Sequence, residues 1–196
     1  MTGIVQHWGY SVAPSDEGWV WLPGTGDVAA WAQEICADLY VHGPEAAWLG
    51  AQLRSLGDAL REGAPDLAAL WVPDPAHGVL ATLRADRYRL TTGLPELAAQ
   101  ERATAGRGLA PPAVDLVALP AGPALRVRRV ERQADGPGEG LLVESVRHLV
   151  APPGAVDADG VPTGVELVMA WTLLHEGEEF ADMADRTAER FCVTAG

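Results

Sequence analysis

The sequence predicts an α+β protein, a largely antiparallel sheet flanked by helices, and three observations carry that expectation. In the last third, strand-like runs at 125–128, 141–150 and 165–174 follow one another across short turns, and sequential strands so joined pair antiparallel. Phe180, Met183, Ala184, Thr187, Ala188 and Phe191 then recur at steps of three and four. Glu178, Glu179, Asp182, Asp185, Glu189 and Arg190 fill the other faces, which is the pattern of an amphipathic closing helix. Finally, 196 residues make a single domain, 1–196, large enough to bury roughly 70% of the surface its unfolded chain exposes.

Taken in order, residues 3–21 are rich in Val, Ile, Trp and Tyr and are broken by Pro14, Asp16 and Gly18, which predicts two short strands around a turn. Asp27 precedes Val28, Trp31, Ile35 and Leu39 at helical spacing. Its carboxylate suits an N-cap, because it can accept a free first-turn amide and complements the positive end of the helix dipole. Gly43 and Pro44 are expected to end that helix. A second helix from about Glu45 carries Leu49, Leu53, Leu56 and Leu60 along one face, and Gly63 and Pro65 stop it. Residues 67–72 and 79–83 read as paired strands across Pro73-Asp74-Pro75-Ala76-His77-Gly78, and residues 94–105 as a weaker, polar helix. The Gly- and Pro-containing stretch 105–112 reads as a mobile loop. Val114, Leu116 and Val117 lead to the Pro120–Pro123 turn. Beyond it Leu125 and Val127 alternate with Arg126 and Arg128, as in a strand with one solvated face. Along 165–174, Val165, Leu167, Met169, Trp171 and Leu173 share one side.

The formal net charge of -13 argues against nucleic acid and anionic membrane as partners, since both are bound by neutralising phosphate with Lys and Arg. All 14 basic residues are arginine, beside abundant Ala, Gly and Pro. That usage reads as the codon bias expected of a GC-rich bacterial genome, and it gives the arginines no claim to phosphate recognition. Cys36 and Cys192 both fall in apolar helical patterns and are expected as reduced, buried thiols. No apolar run nears the roughly 20 residues that span a bilayer. Residues 1–10 hold no Lys, Arg or signal-like apolar block, so a cytoplasmic location is expected.

The run Trp8-Gly9-Tyr10-Ser11-Val12-Ala13-Pro14, followed by Gly18-Trp19, resembles the opening of the Mog1/PsbP-like superfamily, with its LpqN-type lipoproteins. The tail is similar too, with a long strand before the apolar-acidic helix of residues 180–191. The order of elements, including Ala121-Gly122-Pro123-Ala124-Leu125-Arg126-Val127-Arg128, also resembles a set of actinobacterial proteins. The resemblance implies an α/β/α sandwich used as a protein-binding scaffold without enzymatic activity. The chain departs from it in the absence of a lipoprotein signal and in the length of its second helix.

His175-Glu176-Gly177-Glu178-Glu179 lacks the second His, four residues after the first, that a zinc helix needs, and Gly177 is expected to break the helix. The acidic residues fit the start of a helix instead. Asp157-Ala158-Asp159-Gly160 opens like a calcium loop, but Glu166 lies nine positions after Asp157 where eleven are needed, so a polar turn is expected. Ser145, His148 and Asp157 fail as a triad, because Ser145 has no nucleophile elbow and lies on the opposite strand face from His148. Gly24-Thr25-Gly26-Asp27 has neither the Lys nor the third glycine of a phosphate loop and reads as a cap. No catalytic residue, metal or cofactor is therefore expected.

Of seven tryptophans, Trp31, Trp48 and Trp171 are expected in the core. Trp8, Tyr10, Trp19 and Trp21 form the candidate interface, because exposed aromatic clusters mark contact surfaces. The leading expectation is a non-enzymatic protein-binding or accessory module with an unidentified protein partner. One alternative is a small-molecule-binding protein or enzyme with a pocket between the sheet and the N-terminal helices, which a deep cavity with convergent polar groups would favour. Another is a structural subunit of a secretion- or injection-type assembly, which a large flat apolar face would favour.

Overall fold

A computed structural model of the chain describes residues 8–104, 109–134 and 140–195. Its centre is a seven-stranded antiparallel sheet built from β2 (Trp19–Trp21), β3 (Leu67–Trp71), β4 (Ala81–Arg89), β5 (Ala113–Leu119), β6 (Gly122–Arg132), β7 (Leu142–Val150) and β8 (Thr163–Trp171). The spatial order is β2-β3-β4-β8-β7-β6-β5. A separate ribbon pairs β1 (Trp8–Ser11) with β9 (Cys192–Ala195), antiparallel. The helices are α1 (Val28–Asp38), α2 (Gly43–Glu62), α3 (Leu94–Ala103) and α4 (Gly177–Glu189).

Strand alternation divides the sheet into two faces. Ala81, Leu83 and Ala85 of β4, Val165, Leu167, Met169 and Trp171 of β8, and Val146 and Val150 of β7 all point to one face. There α4 lays down Phe180, Met183 and Ala184, each almost fully buried. Phe180 stacks on Trp171 with ring centroids 5.4 Å apart and meets Trp71 edge-on at 5.6 Å. The β1–β9 ribbon closes the same core through Tyr10, whose ring lies 5.5 Å from that of Phe191. The carboxylates under α4 are paired. Glu144 accepts from Arg128 Nε at 2.6 Å and Trp171 Nε1 at 3.2 Å, and Asp185 meets His148 Nε2 at 3.0 Å and Arg126 Nε at 2.7 Å.

The opposite face is covered in two separate places. Leu49 and Leu53 of α2, with Val28 and Trp31 of α1, cover Leu70 and Val72 near β3. Leu94 and Ala98 of α3 cover Val114, Leu125, Val127 and Leu149 near the β5 edge.

Several expectations need correction. The two N-terminal strands do not form a hairpin: β1 pairs with β9, a strand not expected from the sequence, and β2 joins β3. That helix ends at Glu189, so Cys192 is an exposed strand residue and not a buried thiol, while Cys36 is buried as expected. Gly43 and Pro44 open α2 and do not end α1, because Tyr40, at φ 55°, already turns the chain and Pro44 suits a first helical turn. Gly177 is the first residue of α4, not a break. A Cβ there would fall well inside van der Waals contact of the Glu144 carboxylate, so only glycine lets the helix start sit on that buried acid. The strand after Gly78 runs on to Arg89, where its outer half stays paired with β8 as far as Arg89 opposite Thr163. Trp48 is exposed, not core. The expected loop at 105–112 and the start of the N-terminal reading at 3–7 lie partly or wholly outside the described residues.

Candidate binding groove

Between α2 and the sheet centre lies a groove of about 730 Å³. Its floor comes from the uncovered middle of the sheet: Thr82 and Arg84 of β4, Val168 and Ala170 of β8, and Val143 of β7. Its wall is one stripe of α2, with Gln52, Ser55, Leu56, Ala59 and Leu60 at helical spacing. The helix stands off the floor here because its other side is drawn to α1. A Cβ on Gly57 would lie 2.8 Å from Val28 Cγ1, so the two helices meet at glycine contact. Arg61 then donates to the Gly26 and Pro23 carbonyls at 2.6 and 2.7 Å, tying the end of α2 to the loop before α1. Leu56 and Leu60, expected in the core with Leu49 and Leu53, are instead half-buried and face the groove.

One end of the groove is shaped by Gln52 and Trp48, both of which lie against Gly78. Gln52 accepts the Val79 amide at 3.2 Å. Trp48 is 44% exposed beside this end, and Leu141, 53% exposed, lines the opposite rim. Arg84 is the single charged residue among the described lining residues. It meets Glu166 at 3.3 Å and Asp86 at 3.6 Å, and Glu166 also meets Arg147 at 3.3 Å. Burial pushes the Asp86 carboxyl up, against the pull of Arg84. The groove is thus apolar with neutral hydrogen-bonding groups, and an ion-pair chain bounds it on the α3 side.

The four aromatic residues of the expected interface are not brought together as one exposed patch. Trp8 donates to the Val156 carbonyl at 3.0 Å, and the Tyr10 hydroxyl lies 3.0 Å from Asp66. The Arg87 guanidinium sits 5.3 and 5.4 Å from their two ring centroids. Trp19 packs on Trp71 at 6.4 Å in the other sheet. Trp21, on the short edge strand β2, is 40% exposed.

The remaining constellations resolve locally. Asp157 Oδ1 accepts the Asp159 and Val161 amides at 2.9 and 3.0 Å, and Arg89 pairs with both aspartates, so this segment is a polar turn. His148 lies across the strand from Ser145, and its acidic partner is Asp185 of α4, which no local spacing reveals. Among the described residues no group of three or more His, Cys, Asp or Glu is placed to hold a metal ion. No described helix is long and apolar enough to cross a membrane.

No family model matches the chain, and no curated protein does. Among solved structures the chain is similar to LpqN, involved in cell envelope biogenesis of Mycobacterium tuberculosis, with a TM-score of 0.53 and 12% identity. The likeness covers 98% of this chain and 87% of that one. At this identity it is a likeness of fold. It agrees with the architecture expected from the N-terminal aromatic-Gly-Tyr-Ser run, and it carries no residue roles across.

Proposed function

We propose that the chain is a binding protein without chemistry of its own, of Mog1/PsbP-like descent, which holds a small molecule with an apolar body in the groove between α2 and the sheet. The observation that carries this reading is the groove itself: its volume falls within the roughly 300–1,000 Å³ of small-molecule sites. Its walls of Leu56, Leu60, Val143 and Val168 are interrupted by the amide and hydroxyls of Gln52, Ser55 and Thr82. Polar groups converging on an apolar groove support a ligand-binding protein over a module working only through its surface.

A second reading, contact with a protein partner, is favoured by Trp21, 40% exposed on the edge strand β2. The two readings part in one experiment. Nile red, a neutral apolar dye, should bind the native protein with enhanced fluorescence. Ala170→Phe, which fills the floor, should reduce that binding at least tenfold, while Trp21→Ala should leave it unchanged. Dye binding that ignores Ala170→Phe would overturn the groove reading.

A further inference from the structure

The α3 helix buries fewer residues than any of the other three helices. Only Leu94 and Ala98 are buried along it. Its last turn is fastened by charge: Glu101 pairs with both Arg129 and Arg147 from the sheet, and Arg102 donates to the Val114 carbonyl at 2.7 Å. Those ion pairs are one-fifth to one-quarter exposed, within reach of solvent ions.

What lies beneath α3 continues the groove floor. In register across the sheet, Arg84 of β4, Val168 of β8, Arg147 of β7, Val127 of β6 and Val114 of β5 form a single row on one face. The first two line the groove and the last two are covered by α3. Arg147 stands between them, joined to the groove side through Glu166 and to α3 through Glu101. Two polar atoms in this region, Tyr88 Oη and Arg147 Nε, are buried and find no hydrogen-bond partner. Buried polar atoms without partners raise the energy of the docked arrangement, and water or a ligand reaching them would relieve it.

We infer that α3 is a displaceable cover over the far end of the groove, latched by the Glu101–Arg129–Arg147 ion pairs. Lifting it joins the Val114, Leu125, Val127 and Leu149 surface to the groove and lets a longer apolar ligand lie across the sheet. This rests on the groove being the ligand site, and it adds a gate set by charge.

The test is amide hydrogen exchange of the full chain, with Nile red binding measured in parallel. Raising KCl from about 50 to 500 mM shortens the screening length and weakens exposed pairs. It should speed exchange in Leu94–Ala103 at least tenfold while α2, α4 and the central strands stay unchanged. Glu101→Gln should do the same at low salt and raise dye binding several-fold with the melting temperature nearly constant. Unaltered α3 exchange under both treatments, or equal acceleration throughout the chain, would overturn the cover even if the wild-type protein binds dye. Absence of dye binding by the wild type would overturn the groove reading beneath it, whatever α3 does.

Discussion

One face of the sheet is covered by the single 13-residue helix α4 and a two-stranded ribbon, the other by three helices, yet it is the first that is the more completely sealed. On the α4 face one helix and one ribbon converge on a continuous apolar core, and every carboxylate that must be buried there has an arginine, histidine or tryptophan partner. On the other face α1 and α2 form a tight pair over β3, α3 sits alone near β5, and the sheet between them is left to a groove and an ion-pair chain. The difference is one of division of labour. A face sealed by aromatic packing contributes stability, and on the proposed reading a face left incomplete leaves room for an occupant.

The largest effect that would break this comparison is expected at Phe180, which joins α4 to both Trp71 and Trp171. Phe180→Ala should cost about 3–5 kcal/mol and lower the melting temperature by roughly 10 °C. A thermal melt unchanged by this truncation would show that the α4 face is not the stabilising one. Gly177→Ala tests the same face more locally. Its new methyl meets the Glu144 carboxylate and, at 3.2 Å, Arg128 Nη2, so a loss of about 1–3 kcal/mol in chemical denaturation is expected.

The α4 face was the more legible of the two in the sequence, and the reason is physical. The spacing of Phe180, Met183 and Phe191 and the alternation of Val165 to Trp171 are local periodicities, and each fixes a buried face without knowledge of any partner. The groove is not a local property. Leu56 and Leu60 continue the repeat of Leu49 and Leu53 without a break, and their exposure to a cleft follows from where Gly57 and Arg61 anchor α2, contacts about 30 to 40 residues away in sequence. The signal available was Gly57, a glycine inside a 20-residue helix, which marks a close approach. The β1–β9 pairing was hidden for a similar reason. Four residues from each end of the chain carry too little pattern to announce each other, and Cys192 looked like a continuation of the helix because Phe191 does complete its apolar stripe.

Acid should erode the α4 face through Asp185. Its burial would raise the carboxyl, but the His148 hydrogen bond and the Arg126 ion pair outweigh that and hold it below the ordinary Asp range. A carboxyl depressed in the folded state stabilises the fold above its unfolded value and loses that contribution as pH falls through the folded one. Asp185→Asn should therefore melt below the wild type at pH 7, and the gap should close as pH drops below about 4, the ordinary Asp value. A gap of constant size across that range would mean that Asp185 acts by packing alone. Tm measured against pH for the two proteins settles the point.

The smallest effect is expected at the groove, and its smallness is the informative part. Ala170 lies on the floor between Thr82 and Ser145 in register, half-buried, with the cleft above it. A phenylalanine there extends into open space, so it should displace no packed neighbour and change stability by no more than about 0.5 kcal/mol, as surface substitutions do. The same substitution buried under α4, for example Ala184→Phe, replaces a side chain that is 2% exposed and should cost about 1–3 kcal/mol or more. Paired urea titrations of the two variants measure the contrast directly. Equal destabilisation would mean that the floor of the groove is as tightly packed as the core, and that the sheet has two sealed faces rather than one.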